Sequence, residues 1–318
     1  MTAPHVVSLP PRIARGETLG VIAPAGPIRP ESAAALRRGL ERLAATFRIR
    51  IAPSLERSER APDVPSYLAA NDDERAAEFA AMVADRDVRA IVVARGGYGI
   101  MRILPRLDPA ALRRDPKPIV GFSDATALLA WAHAAGVRGI HGPTVLQLAD
   151  LPEGDLERLV ALLCDPAPPG LRPWQLAMHG RGRLRGPLVP ANLTMASMLV
   201  GTPWSLPFAG AIGLFEEVGE KPYELDRYLT QLALTGTLAQ LAGVVVADLT
   251  RCEDSDPPSG VPDAGLRTVL ERLAAAGVAS AVGAPIGHGV RNEAVPFGAD
   301  CELDLDRGTL EILEGAVE

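Results

Sequence analysis

Hydrophobic positions along this 318-residue chain follow two periods, and the switches between them set the expected elements. Thr18 to Ala23 (T-L-G-V-I-A) is an apolar run closed by Pro24 and Gly26, which predicts a buried strand. Leu36, Leu40, Leu43 and Phe47 then recur at i, i+4, i+7 and i+11, the stripe of an amphipathic helix. Arg48 to Ala52 reads as a second strand. Asn71 with Glu74 resembles a capping box, and Ala76, Phe79, Met82 and Val83 form the apolar face of the helix it opens. Val88 to Ala94 is the clearest strand in the chain and runs into Arg95-Gly96-Gly97-Tyr98-Gly99. Pro118 to Phe122 is another strand, followed by a helix from Asp124 to Ala135.

Strands alternating with helices predict an α/β fold with a mostly parallel sheet covered on both faces. Ligands of such sheets sit beyond the carboxyl ends of the strands. Arg95-Gly-Gly-Tyr-Gly99 and Gly121-Phe-Ser-Asp124 both lie there, a first sign that they share a site. Asp165-Pro-Ala-Pro-Pro-Gly170 breaks the pattern, and the Pro-, Gly- and Arg-rich stretch to about Arg185 reads as a linker. The expected division is therefore 1–165, a linker at 166–185, and 186–318. In the second half, Ala211 to Glu217 and Gly243 to Leu249 read as strands, and Leu225, Tyr228, Leu229 and Leu232 as a helical stripe. Glu253 to Pro262 reads as a polar loop. Leu266 to Ala276 is a helix stopped by Gly277, and Cys301 to Leu313 a β-hairpin around Asp306-Arg-Gly308.

Composition narrows the class. With 47% hydrophobic and 22% charged residues, a packed protein is expected, long enough for two domains. A net charge of −7 argues against nucleic acid as a partner. Cys164, Cys252 and Cys301 are odd in number and contain no C-x-x-C pair, which suggests neither a zinc site nor a disulfide framework. A reducing cytoplasm suits them. The amino terminus lacks the basic start and apolar core of a signal peptide. No apolar run approaches the roughly 20 residues of a membrane span. The expectation is a cytoplasmic protein with no membrane partner.

Ser123 reads in two ways. It is a helix cap, or it is the nucleophile of an elbow, Gly121-x-Ser123-x-Ala125, whose small flanking residues let the hydroxyl project. In the second reading the amide of Asp124 points toward a developing oxyanion. A base is then needed among five histidines. His5 lies in a tail and His179 in the linker; His133 is on the order of 15 Å along the helix from Ser123. His141 (G-I-H-G-P) and His288 (I-G-H-G) remain, each at the end of an apolar stretch and expected to be exposed. An orienting acid could come from Glu216 or Glu217, which strand alternation places on opposite faces; two solvated carboxylates at a strand end are the plainer reading. Arg95-Gly-Gly-Tyr-Gly99 lacks the Lys-Ser/Thr of a phosphate loop, and its glycine pair suits an oxyanion hole.

Several segments together resemble the LD-carboxypeptidases, serine peptidases of murein recycling, and their relatives the microcin C self-immunity peptidases. The resemblance spans nearly the whole chain. It is carried by Gly20-Val-Ile-Ala-Pro-Ala-Gly-Pro27, Tyr67-Leu-Ala-Ala-Asn-Asp-Asp-Glu-Arg75, Ala94-Arg-Gly-Gly-Tyr-Gly99, Pro118-Ile-Val-Gly-Phe-Ser-Asp-Ala-Thr126 and His141-Gly-Pro143. Asn192-Leu193, Leu214-Phe-Glu-Glu-Val-Gly-Glu220 and Pro285-Ile-Gly-His-Gly289 carry it in the second half. The resemblance implies an N-terminal parallel-sheet α/β sandwich like class I amidotransferase domains, carrying the nucleophile, and a C-terminal β-barrel-like α+β domain carrying acid and base. It implies a triad of Ser123, Glu216 and His288, with oxyanion amides at Asp124 and Gly97. The implied substrate is a murein tetrapeptide, cut between a diamino acid and terminal D-alanine without metal or organic cofactor. Arg95, Arg102 and Arg291 are candidates for the substrate carboxylate; Arg95, Tyr98 and Asn192 are the expected substrate contacts. Family members are often homodimers, and the resemblance implies the same here. The rival readings are a microcin-type peptidase acting on aminoacyl-nucleotide amides and a non-catalytic binding protein on this scaffold. One departure stands out: the family's Gly-Gly-Asn is Pro190-Ala191-Asn192 in this chain.

Overall fold

A computed structural model of the chain describes residues 7–57, 61–254 and 263–318. His5 and most of the polar loop expected from Glu253 to Pro262 lie outside the described residues. In chain order the elements are β1 (Thr18–Ile22), α1 (Ala33–Ala44), β2 (Arg48–Ile51), α2 (Asp72–Ala84), β3 (Val88–Val93), α3 (Ile100–Ile103), α4 (Pro109–Arg114), β4 (Ile119–Gly121), α5 (Thr126–Ala134), β5 (Ile140–His141), α6 (Val145–Leu148) and α7 (Glu153–Cys164). They continue with β6 (Gly170–Leu171), β7 (Ala177–His179), β8 (Arg183–Asn192), α8 (Leu193–Met198), β9 (Ile212–Val218), α9 (Pro222–Leu234), β10 (Gly243–Thr250), α10 (Ala264–Ala275), β11 (Ser280–Val282), β12 (Val295–Pro296), β13 (Asp300–Asp304) and β14 (Thr309–Ile312).

The chain forms two compact units. The first comprises residues up to Pro166 with Glu293–Pro296 and Gly315–Glu318. Its six-stranded sheet has the order β12-β5-β4-β3-β1-β2, parallel except for β12. Alternation along β3 divides the core. Ala90 and Val92 face a cluster with Leu36, Leu43, Leu159 and Leu163 from α1 and α7. On the opposite face, Phe79 of α2 meets Trp131 of α5 edge to face, with ring centroids 5.5 Å apart. Burying each large aliphatic side chain in such a core contributes about 1.5–3 kcal/mol.

Local chemistry explains where α2 begins and ends. Asn71 Oδ1 accepts from Glu74 N at 2.8 Å. The Glu74 carboxylate turns to Arg57. At the other end, the buried Lys117 ammonium donates to Val83 O at 2.6 Å, Asp85 O at 2.5 Å and Met82 O at 3.2 Å, and pairs with Asp115 at 3.2 Å. A cation there complements the helix dipole. Phe47 lies beyond the end of α1, buried in the turn into β2.

The second unit, Ala167–Asn292 with Phe297–Glu314, holds an eight-stranded mixed sheet curled into a half-barrel, in the order β6-β14-β13-β8-β9-β10-β11-β7. Strands β8 to β11 are parallel, and the flanking pairs are antiparallel. The expected stripe Leu225, Tyr228, Leu229 and Leu232 is buried on α9. The stretch 166–185, read as a linker, contributes β6, β7 and the start of β8. Two- and three-residue edge strands are too short to show an alternation. The hairpin β13–β14 pairs Asp304 with Thr309 around the expected turn.

Candidate active site

The residues expected in catalysis fall into two groups, one in each unit. In the first unit, β4 ends at Gly121, Phe122 is extended, and Ser123 opens a 3-10 turn that leads into α5. Ser123 adopts φ 60, a left-handed conformation that strains a residue with a side chain by about 1–3 kcal/mol. Its hydroxyl does not cap the helix. The flanking small residues are sterically required: a Cβ on Gly121 would lie 2.7 Å from Ala125 Cβ. The glycine loop after β3 lies against this turn. A Cβ on Gly96 would sit 2.9 Å from Ser123 Oγ and 3.7 Å from Asp124 N. Gly97 has φ 118 and packs on Gly26.

The side chains around this loop are less available than the sequence suggests. Arg95 is half-buried and donates to Pro27 O at 2.7 Å. Burial and then Arg29 lower its pKa. Arg102 holds Asp72 Oδ2 at 2.9 and 3.1 Å. Tyr98 is half exposed and meets Tyr67 edge to face with centroids 5.7 Å apart. His141 is fully buried in β5, beside Gly121 in register, with its ring against Phe122.

Sequence reading missed two residues of this group. Asp124 enters the reading through its amide, yet its carboxylate is buried and accepts from Ile100 N at 3.0 Å. Burial lifts its pKa to about 6, against the opposing pull of that hydrogen bond and of Arg75. Arg75 is buried and bonded to four groups around the loop. Its position one helical turn after the Asn71 cap looks like a surface ion-pair position, and only tertiary packing reveals otherwise.

In the second unit, β9 carries two adjacent glutamates, both buried rather than solvated. Glu216 Oε2 lies 2.6 Å from His288 Nδ1, while Glu216 Oε1 has no hydrogen-bond partner. Glu217, on the opposite face, accepts from Asn192 Nδ2 at 2.8 Å, Thr194 N and Oγ1 at 2.7 Å, and Val218 N at 2.9 Å. Asn192 also caps α8, accepting from Met195 N at 3.1 Å, so its amide serves the fold. His288 is one-fifth exposed, not the open loop residue expected. Burial alone lowers its pKa, but the Glu216 hydrogen bond and charge, with Glu217 and Asp248 behind, raise it overall. Asp248 lies directly beneath the two glycines: a Cβ on Gly289 would fall 2.2 Å from its Oδ2. A lone acid in the apolar run Gly243-Val-Val-Val-Ala-Asp248 is the signal that could have identified it. Arg291 lines a cavity of about 640 Å³ in this unit, together with Asp248 and Val290.

A hydroxyl on a strained turn beside glycine amides and an imidazole held by a carboxylate are the parts of an acyl-transfer hydrolase. Residues 19–142 match the LD-carboxypeptidase N-terminal domain, and residues 185–303 match the LD-carboxypeptidase C-terminal domain. The chain is 32% identical to the probable murein peptide carboxypeptidase of Bacillus subtilis, over 97% of this chain and 95% of that protein. It is 34% identical to the murein tetrapeptide carboxypeptidase of Pseudomonas aeruginosa, over 76% of this chain and 80% of that protein. Among solved structures, muramoyltetrapeptide carboxypeptidase from Oxalobacter formigenes superposes with a TM-score of 0.79 at 25% identity, covering 94% of this chain and 99% of that one. The wild-type microcin C7 self-immunity protein superposes with a TM-score of 0.87 at 21% identity, covering 98% of this chain and 100% of that one, a likeness of fold alone. The chain belongs to the LD-carboxypeptidase family and is a peptidase. No helix among its described residues is long and apolar enough to cross a membrane.

Proposed function

We propose that this chain is a serine carboxypeptidase that removes terminal D-alanine from murein tetrapeptides by cutting the amide after the L-centre of a diamino acid. Two observations, one in each unit, support the reading: the 2.6 Å contact between Glu216 and His288, and the strained backbone of Ser123. With Nδ1 held by Glu216, Nε2 of His288 takes the Ser123 proton as Oγ bonds to the scissile carbonyl carbon. The amides of Asp124 and Gly97 stabilise the tetrahedral oxyanion. As the C–N bond breaks, His288 passes the proton to the departing D-alanine amine. Water then attacks the acyl-serine with His288 again as base; the ester C–O bond breaks and His288 returns the proton to Ser123 Oγ. This chemistry calls for no metal or organic cofactor.

Glu217, held by Asn192 and Thr194, adds to the negative charge that raises the proton affinity of His288. Tyr98 and Arg95 contact substrate, and one of Arg95, Arg102 and Arg291 faces its terminal carboxylate. The enzyme works in the cytoplasm, where its three free cysteines stay reduced, and as a homodimer, which sedimentation will check.

The test is D-alanine release from a murein tetrapeptide by wild type and Ser123→Ala. The wild type is expected to release D-alanine and the variant to lose all but a trace. Equal rates would remove Ser123 from the mechanism and favour a binding protein. Cleavage of an aminoacyl-sulfamoyl nucleotide without D-alanine release would instead assign the enzyme to the microcin-type reaction.

A further inference from the structure

The loop Arg95–Gly99 has no regular structure of its own, yet it is gripped at both ends. At its start, Gly26 N donates to Gly96 O at 3.2 Å, and Arg95 Nη1 donates to Pro27 O at 2.7 Å. At its end, the buried Arg75 donates from Nη1 to Gly99 O at 2.9 Å and to Pro24 O. The same guanidinium donates from Nε to Ala70 O at 3.1 Å and from Nη2 to Asp72 Oδ1 at 2.5 Å. It thereby joins the end of β1, the start of α2 and the glycine loop. A planar fork can do this; a point-charge ammonium cannot reproduce it. Gly99 leaves the room required, since a Cβ there would lie 2.9 Å from Arg75 Nη1. One residue further, Ile100 N donates to Asp124 Oδ2 at 3.0 Å, and Asp124 is only 4% exposed.

A buried carboxylate with one backbone donor is an unfavourable way merely to fill space, because its desolvation is only partly compensated. Its position is what distinguishes it. Asp124 follows Ser123 directly, so its carboxylate ties the elbow to the far end of the glycine loop. We infer that Asp124 and Arg75 form a buried clasp that positions the glycine loop against Ser123 and keeps the Gly97 amide in register with the Asp124 amide. Neither side chain touches substrate; both are positioning residues. The inference rests on reading those two amides as the oxyanion donors.

The test compares wild type with Asp124→Ala, Asp124→Asn and Arg75→Lys. Three quantities are measured: D-alanine release, the rate at which a fluorophosphonate phosphonylates Ser123, and hydrogen exchange at the Gly97 and Ile100 amides. Asp124→Ala is expected to lower kcat and phosphonylation about 10²-fold, the effect of losing one oxyanion donor, with KM within about twofold. Asp124→Asn, which keeps an acceptor for Ile100 N, regains at least tenfold of this. Arg75→Lys behaves as Asp124→Ala. Asp124→Ala rates within threefold of wild type, or no rescue by Asn, would overturn the clasp. Should the Ala and Lys variants not fold, exchange in the wild type decides: Gly97 and Ile100 open together if the clasp holds, and independently if it does not. A wild type that is phosphonylated but releases no D-alanine refutes the substrate reading while leaving the clasp under test. A wild type with an unreactive Ser123 refutes the nucleophile, and the exchange data alone then judge the clasp.

Discussion

Replacing Gly96 by Ala adds one methyl group where the glycine loop meets Ser123, the proposed nucleophile. The backbone tolerates the change, since Gly96 is not among the residues with positive φ. The added Cβ, however, would lie 2.9 Å from Ser123 Oγ and 3.0 Å from Ser123 Cβ. Neither atom can retreat cheaply, because Ser123 is already held at φ 60 between Gly121 and Ala125. Overpacking of this kind costs about 1–3 kcal/mol. The loss of backbone freedom in the unfolded chain returns about 0.4–1 kcal/mol. A net destabilisation of about 1–2 kcal/mol corresponds to a fall in Tm of about 2–8 °C for a domain of this size. The effect on chemistry is larger, since misplacing a reacting atom by up to 1 Å costs about 10²-fold in rate. Differential scanning calorimetry and fluorophosphonate labelling of Ser123 measure the two effects separately. A Gly96→Ala enzyme that is labelled and turns over like wild type would refute the close approach of the loop to Ser123. One that loses activity only in step with unfolding would refute the separation of the two effects.

Glu216→Gln keeps the shape of the acid but not its charge, and kcat should fall by about 10⁴, as for the equivalent change in a Ser-His-Asp enzyme. In wild type, kcat/KM should rise with pH through a value above the ordinary 6.5 of histidine; an NMR titration of His288 should show that midpoint moving down in the Gln variant. The stability from this pair is fully present below pH 6.5 and is lost as pH rises through the raised pKa, so denaturant titrations of wild type and variant should converge at high pH. Asp124 acts in a lower window. Between its ordinary 3.8 and its folded value of about 6 the native state holds a proton that the unfolded chain has released. Stability should therefore fall by about 3 kcal/mol as pH rises across that range, and Asp124→Asn should flatten the slope; an unchanged slope would locate the titration elsewhere. Lys117→Met strands three carbonyls at the end of α2 and should cost about 3–5 kcal/mol by chemical denaturation, the range for breaking a buried charged contact.

Most of the fold was legible because its strands and helices are long enough to show a period. Thr18–Ile22, Val88–Val93 and Gly243–Thr250 lie within one or two residues of the apolar runs that predicted them. The helix expected to begin at Asp124 opens instead with a 3-10 turn, since the strained Ser123 cannot enter an α-helix directly. Strands β6, β7 and β12 have only two or three residues each, and pairing rather than pattern defines them. The elbow was legible for a steric reason: only small residues at 121 and 125 permit the turn. Arg75 and the Asp124 carboxylate were hidden, because nothing in a sequence tells a buried charged side chain from a solvated one until its partners converge from distant segments.

The paired glutamates show how far alternation reaches. It places Glu216 and Glu217 on opposite faces of β9 and says nothing of burial. Glu217 survives burial because four donors surround it, and those from Asn192 and Thr194 lie at the start of α8. Glu216 has the opposite arrangement: one oxygen has no donor and the other meets only His288. A carboxylate satisfied by backbone amides would spend its charge on them; one left under-satisfied directs it at the imidazole and raises the proton affinity of His288. The departure at Pro190-Ala191 belongs to the same design. Both residues are buried in β8, in register with Leu214 and Phe215 of β9. The register pairs β8 with β13 only over Arg183–Pro187, so that side of Pro190 carries no ladder that a missing N–H would break. Pro190 and Ala191 make a stiff strand leading to Asn192, and Asn192 holds Glu217 in place while Glu216 faces the histidine.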